Sequence, residues 1–367
     1  MTVPAVAVPT VDPRPLRERL AALDLDRLAD FHEANERLYR AGLTDGLPVM
    51  PPTARRIEEM LDGADSTASP SLGPLPPGFM TPTPWDAAAC AVLAGCERGA
   101  LPLVVAALAA VADPAFNLLG IQTTTGAAAT LLVVNGPVAG ELGINSTHNS
   151  LGPGWRPNAT IGRAVRLALQ TVGLAVPGSG DMATQGHPGK YTWLVAENEV
   201  CSPWAPLHAT RGLAADVSAV TTVGAVGNVE VVLPLTSPEA LVKTLAHSMT
   251  IAGNIGRGSF GSGQPLVLLP PESVQFLHKH GWDRANLQQV LFAEAKMPLP
   301  WLSEDVIELT RAAREEHSLP PVDAVPAARS PEDILIVVTG GVGVKATFVP
   351  TWGGGTEAVT REVEPLG

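Results

Sequence analysis

Between residues 117 and 201, two short apolar runs and one amphipathic segment are separated by long loops dense in Gly, Pro, Asn, Thr and His. That alternation restricts the fold more than any other feature of the chain. The runs 118–122 and 130–134 read as strands buried on both faces, as in an α/β sheet. Residues 158–172 place Ile161, Ala164, Val165, Ala168, Leu169 and Val172 on one stripe and Arg163, Arg166 and Gln170 on the other side, which predicts a helix. Loops this long inside a compact domain are usually ones that bind or catalyse. Function is therefore expected in the loops of this stretch.

The remaining sequence agrees with an α/β or α+β class, a mixed sheet core with flanking helices and long functional loops. Residues 1–65 read as an N-terminal helical segment: an extended leader, two amphipathic pieces within 13–43, and a helix from Ala54 capped by Thr53. Residues 66–83, rich in Pro, Gly and Ser, are a linker or a lid. A main α/β domain over 84–319 opens with two apolar helices, 84–94 and 100–112. Past residue 201 it continues with a strand pair (217–226 and 229–235) and a helix over 239–252 with Pro238 at its first position. A strand at 266–269 and helices at 271–280, 284–295 and 303–317 follow. After a linker at 320–331, a C-terminal strand segment over 332–367 is expected to pack on the main domain, starting with a buried strand at 334–338. No internal repeat is evident.

Composition narrows the class of function. With 46% hydrophobic and 16% charged residues the chain is globular, and with 4% aromatic residues its core is built mainly from Ala, Val and Leu. A net charge of -12 offers no basic face for phosphate backbones, so no nucleic-acid partner is expected. Cys90, Cys96 and Cys201 are too few for a disulfide framework and fit a reducing compartment. The opening MTVPAVAVPTVDPRP lacks a basic n-region, and the apolar stretch 100–112 is too short to cross a bilayer. The expectation is a soluble, cytoplasmic protein with no membrane partner.

Several familiar motifs fail on context. GRGSFG at 256–261 has the letters of a dinucleotide fingerprint, but a helix precedes it and SGQP follows, whereas the motif needs a strand before and a helix N-terminus after. GVGVKA at 341–346 follows a strand, yet Pro350 and the glycines stop any long helix, so it reads as a tight turn between edge strands. No cofactor is expected. His278 and His280, two apart on a helix, face different directions. No serine sits in a GxSxG elbow, and no spacing of His and acidic residues is diagnostic of a metal, so none is assigned.

Three constellations survive. In GPGWRPNAT (152–160), Asn158 reads as an N-cap approached by glycines, and Arg156 beside a helix N-terminus is a ready site for a carboxylate or phosphate. An ordinary capped helix is the alternative. In GDMATQGHPGKY (180–191), Asp181, His187, Lys190 and Tyr191 put an acid, a base and a cation in one loop. His148 and Asn149 upstream, with Glu197, Glu199 and His208 downstream, could converge on it. Cys96 lies between two apolar helices, where a helix N-terminus and Arg98 would lower a thiol pKa. A small buried hydrophobe is the competing reading, as for Cys90.

The segments DGLPVMPPT, LAGCERGALP, VVNGP, GPGWRPNATIGRA, GDMATQGHPGKY, SPWAPLH and HGWDRANLQQVLF resemble a little-characterised bacterial family. Its relatives are associated with UGSC-motif selenoproteins and thiol-disulfide oxidoreductase-like proteins. The resemblance covers most of the chain from Thr44 onward and implies a thiol or selenoprotein partner. This chain has no Gly-Ser-Cys; VVTGGVGVKATFVPTWGGG, without cysteine, stands in the corresponding C-terminal place.

Together these readings predict an enzyme acting on a small, anionic metabolite at a site built from loops 144–158 and 180–199. Cys96 would be nucleophile or redox thiol, His187 general base and Asp181 its orienting partner, with Lys190 and Tyr191 alongside. Asn145, His148, Asn149, Trp155, Arg156 and Asn158 would hold the substrate. Thiol-dependent redox and hydrolase or lyase chemistry both stay open. The other class is a non-catalytic binding or scaffold protein, in which the Gly, Pro and Trp residues around 152–155 and 203–206 form a homo-oligomer interface.

Overall fold

The computed structural model describes residues 11–28, 30–62, 64, 72–250, 263–316, 318 and 320–366. Along its first strand, β1 (Ala129–Asn135), successive side chains alternate between two dry faces. Leu131 and Val133 point toward a second sheet, while Leu132 and Val134 point toward helices. A strand covered on both sides has no polar face to keep, which is why its centre, Leu131 to Val134, is apolar.

In chain order the remaining strands among the described residues are β2 (Leu194–Ala196), β3 (Ala219–Ala225), β4 (Val229–Val232), β5 (Leu266–Leu269), β6 (Lys296–Pro298), β7 (Ala324–Pro326), β8 (Leu335–Val338), β9 (Lys345–Val349) and β10 (Val359–Glu362). One four-stranded sheet has the order β10-β3-β1-β2, a second the order β4-β9-β5-β8, and β6 and β7 form a ribbon. Both large sheets follow one plan. Each has a parallel pair (β1 with β2, β5 with β8), and its other pairings are antiparallel.

The two sheets also exchange strands. After β3 the chain leaves the first sheet to supply β4 to the second, and after β9 it returns to supply β10 to the first. The crossings meet where Val226 N–H donates to the Pro350 carbonyl at 2.9 Å. Between the sheets, Leu131, Val133 and Val195 pack with Leu266, Leu268 and Val337. Burying each such side chain contributes on the order of 2 kcal/mol.

Helices cover both outer faces. On the first sheet lie Pro84–Ala94, Leu101–Val111 and the central helix Arg156–Thr171, joined by the N-terminal helices through Leu16, Leu38 and Ile57. On the second lie Pro238–Ser248, Pro271–Lys279 and Arg284–Glu294, through Leu241, Leu245, Leu277, Leu287 and Leu291. The architecture is four layers of mixed α/β structure. No single helix among the described residues is long and apolar enough to cross a membrane.

Several local expectations are corrected. The run 118–122 is not a strand but the helix Leu118–Thr123, started by Asn117, whose Oδ1 accepts from Gly120 N–H. Residues 217–226 and 229–235 contain β3 and β4, which belong to different sheets instead of pairing. The turn 340–344 does not join two edge strands, because β9 lies inside its sheet between β4 and β5. The segment 332–367 supplies β8, β9 and β10 and so completes both sheets. The glycine motif 256–261, residues 66–71 of the Pro-rich loop, residues 251–252 of the expected helix and residues 1–10 of the leader lie outside the described residues.

Candidate functional site

The polar side of the central helix is not left to solvent. Arg163 holds Asp45 through two contacts, Nε–Oδ2 at 2.7 Å and Nη2–Oδ1 at 2.8 Å, and Gln170 donates to the Thr44 carbonyl at 2.7 Å. One turn along from Arg163, Arg166 donates to Gln122 at 2.9 Å and to Asp181 Oδ2 at 2.9 Å. Loops from both ends of the first half of the chain therefore fold over this helical face.

Asp181 is the meeting point. Lys190 Nζ lies 2.8 Å from its Oδ1 and 2.7 Å from its Oδ2, and the Ala183 N–H adds a bond to Oδ1 at 3.1 Å. The carboxylate side chain is 5% exposed, and Arg166 and Lys190 are each 13% exposed. Burial pushes the Asp181 carboxyl up, but its bonds to Lys190 and Arg166 outweigh that and hold it below the usual range. Burial draws the Lys190 ammonium down, and the Arg166 charge adds to this against the pull of Asp181. Arg166 is drawn down by burial as well.

These groups line a cavity of about 260 Å³ together with Asp45, His187 and Tyr191. Among the described residues, Arg163 pairs with Asp45 beside this cavity while Arg166 and Lys190 share Asp181, three cations to two carboxylates. On the other side of the turn Pro188–Lys190 lies a second cavity of about 560 Å³, lined by Ser150, Asn158, Thr192, Trp193 and Asn228. His187 lines both. The loops 144–158 and 180–199 thus do share a cavity wall.

His187 caps that turn. Its Nδ1 accepts from Gly189 N–H at 3.1 Å, which puts the proton of the neutral ring on Nε2, buried toward the Ala127 backbone without a well-formed hydrogen bond. The ring edge rests on Trp193, centroids 5.0 Å apart. Burial and the Lys190 charge both lower the imidazole pKa, so the ring is neutral near pH 7. Gly189 is needed for close approach: a Cβ there would come within 2.7 Å of His187 Cε1 and 2.5 Å of Trp193 Cε3. Asp181 does not orient the imidazole; its oxygens are taken by Arg166, Lys190 and the Ala183 N–H.

Other candidates sit elsewhere or are already engaged. Asn158 is no N-cap: the helix begins at Arg156, with Trp155 at the cap, and buried Asn158 exchanges hydrogen bonds with the Asn145 backbone at 2.8 and 3.0 Å. Asn145 donates its own amide to the His148 carbonyl, and Asn149 to that of Pro153. His148 Nε2 accepts from Val342 N–H at 3.3 Å, tying this loop to the glycine turn. Arg156 reaches the Gly95 carbonyl and Glu97, and Trp155 and Tyr191 are exposed.

Cys96 lines neither cavity and is 7% exposed. Burial pushes its thiol up to about 12, opposite to the expected activation, and Arg98 turns away to Glu59 at 3.0 Å. Downstream, Glu197 accepts from Asn135 and Leu207 N–H and pairs with Arg284 at 3.2 Å; His208 is fully buried. Among the described residues no group of three or more His, Cys, Asp or Glu side chains is placed to hold a metal ion.

Arg166, like Asp45, lines the Asp181 cavity without having been singled out from the sequence. Its position three residues after Arg163 and four before Gln170 marked it only as part of a polar face. Compared with known proteins, the chain matches no family model, no curated protein and no solved structure.

Proposed function

We propose that the chain is an enzyme acting on a small anionic metabolite, bound in the cavity bordered by Arg166, Asp181, His187 and Lys190. One observation carries this reading: two largely shielded cations share one carboxylate at a cavity wall. An unmatched buried charge is costly, and an anionic ligand relieves that cost. Arg166 supplies a rigid fork for a carboxylate or phosphate, and His187 and Lys190 supply groups able to exchange protons. Cys96, protonated and away from the cavity, has no part in the chemistry.

The fixed Nδ1 of His187 favours a second reading, a binding protein that holds the same anion without transforming it. Both readings place the ligand at Arg166 and Lys190. Titration calorimetry with a panel of short carboxylates and phosphates tests the shared part. At least one should bind, and Lys190→Met should weaken it by tenfold or more, about 1.4 kcal/mol. Unchanged affinity in a folded Lys190→Met protein would remove the anion site. Turnover of the bound compound then separates enzyme from binding protein.

A further inference from the structure

We propose that Lys190 condenses with the carbonyl of a short 2-oxo acid to form an imine, a step that rests on the anion-site reading above. Three features of the site lead there. Lys190 and Arg166 approach one carboxylate, with Nζ at 2.7 Å and Nη2 at 2.9 Å from Asp181 Oδ2. A guanidinium keeps its proton in any protein environment, so the charge excess is relieved either by an incoming anion or by loss of a proton from lysine. Asp181, in direct contact with Nζ, is placed to take that proton.

The second feature is shape. Lys190 lies at the wall of the 260 Å³ cavity with Arg166 on the same wall, so one ligand can present an anionic end to the guanidinium and an electrophilic carbon to the amine. The third is charge count. The excess is a single positive charge, which a monoanionic carboxylate balances and a phosphate dianion would overshoot. A carboxylate next to a carbonyl meets both requirements in the fewest atoms.

In the step itself, the Lys190 ammonium passes a proton to Asp181 and the free amine attacks the carbonyl carbon. The new C–N bond forms as the C=O π pair moves to oxygen, which takes the proton shed by the now positive nitrogen to give a neutral carbinolamine. The nitrogen lone pair then expels that hydroxyl as water, with the Asp181 proton returned to it, leaving an imine. Amine and ketone give imine and water, and no redox partner is required. The protonated imine keeps a cation beside Asp181, so the ion pair survives the reaction.

The test is reductive trapping. The full chain is incubated with pyruvate, glyoxylate or 2-oxobutyrate and sodium cyanoborohydride, then read by intact mass and peptide mapping. One adduct per chain is expected, on Lys190, with at least one of the three acids and with none of the matching 2-hydroxy acids. Lys190→Arg, which keeps the charge beside Asp181, should lose it. Adducts spread evenly over Lys243, Lys279, Lys296 and Lys345 would overturn the proposal. So would calorimetric binding of a 2-oxo acid without a Lys190 adduct, which leaves the anion site standing. Absence of both binding and adduct with all three acids also refutes the imine, whatever other anions the panel finds.

Discussion

Asp181 and Lys190, nine residues apart in one loop, close that loop with an ion pair of 2.7 Å while each side chain is shielded from water. Arg166 joins from the central helix, so the contact fixes both the loop and its distance from the helix. Replacing Asp181 by Asn would leave two buried cations facing each other. Breaking a buried pair on one side costs about 3–5 kcal/mol. Urea unfolding of Asp181→Asn should show a loss of that order. A loss under about 1 kcal/mol, the scale of an exposed pair, would mean the loop does not close as described.

The same carboxyl sets an acid limit. Its folded pKa lies below its unfolded value, so it contributes stability above the ordinary carboxylate range and loses that contribution as pH falls through the folded value. His187 acts earlier. Its folded pKa also lies below the ordinary value, so the unfolded chain takes the proton more readily, and stability drops as pH falls through about 6.5. His187→Gln removes this second slope. Thermal melts between pH 7.5 and 5.5 (a range of about one unit above and below that value) should be flatter for the variant, and equal slopes would show the ring to be freely protonated in the folded state. If His187 also moves a proton in turnover, the folded variant loses about 10²–10⁴-fold in rate.

How far the sequence reveals this arrangement depends on the distance over which each feature is decided. The density of charged groups in 180–191 is local, so the loop was legible as a polar cluster. Arg166 was not, because its partners Gln122 and Asp181 come from other segments and a polar helical face looks the same whether loops or water cover it. The apolar run at Leu118 looked like a strand because five residues carry no clear period, and the Asn117 cap decided it. Strand exchange between the sheets left no mark, since the two halves share topology without repeated sequence. Cys96 stayed open between two readings for a related reason: proximity to a helix start was visible, but the burial that outweighs it was not.

That burial gives a direct expectation for the thiols. Cys201 is exposed, while Cys90 and Cys96 are buried with their thiols pushed up to about 12. Iodoacetamide at pH 8, about the ordinary thiol range, should label Cys201 first and leave the other two until the protein is unfolded. Cys96→Ala should leave anion binding unchanged. Rapid labelling of Cys96 in the native protein would restore it as a chemical candidate.

Glu197 and Arg284 make the strongest claim about how the two sheets are held together. Glu197 follows β2 of the first sheet, and Arg284 begins a helix that covers the second. Their side chains are 0% and 9% exposed, and Glu197 also accepts from Asn135 and from Leu207 N–H at 2.7 Å each. Glu197→Gln keeps an oxygen for the Leu207 N–H but removes the charge, leaving Arg284 unpaired in the interior. A single loss of about 3–5 kcal/mol is expected. Arg284→Met alone should cost a similar amount for the converse reason. If the two interact, the double variant will cost less than the sum of the singles, because neither charge is then stranded. Additive losses in urea unfolding would mean that this ion pair does not help to join the sheets.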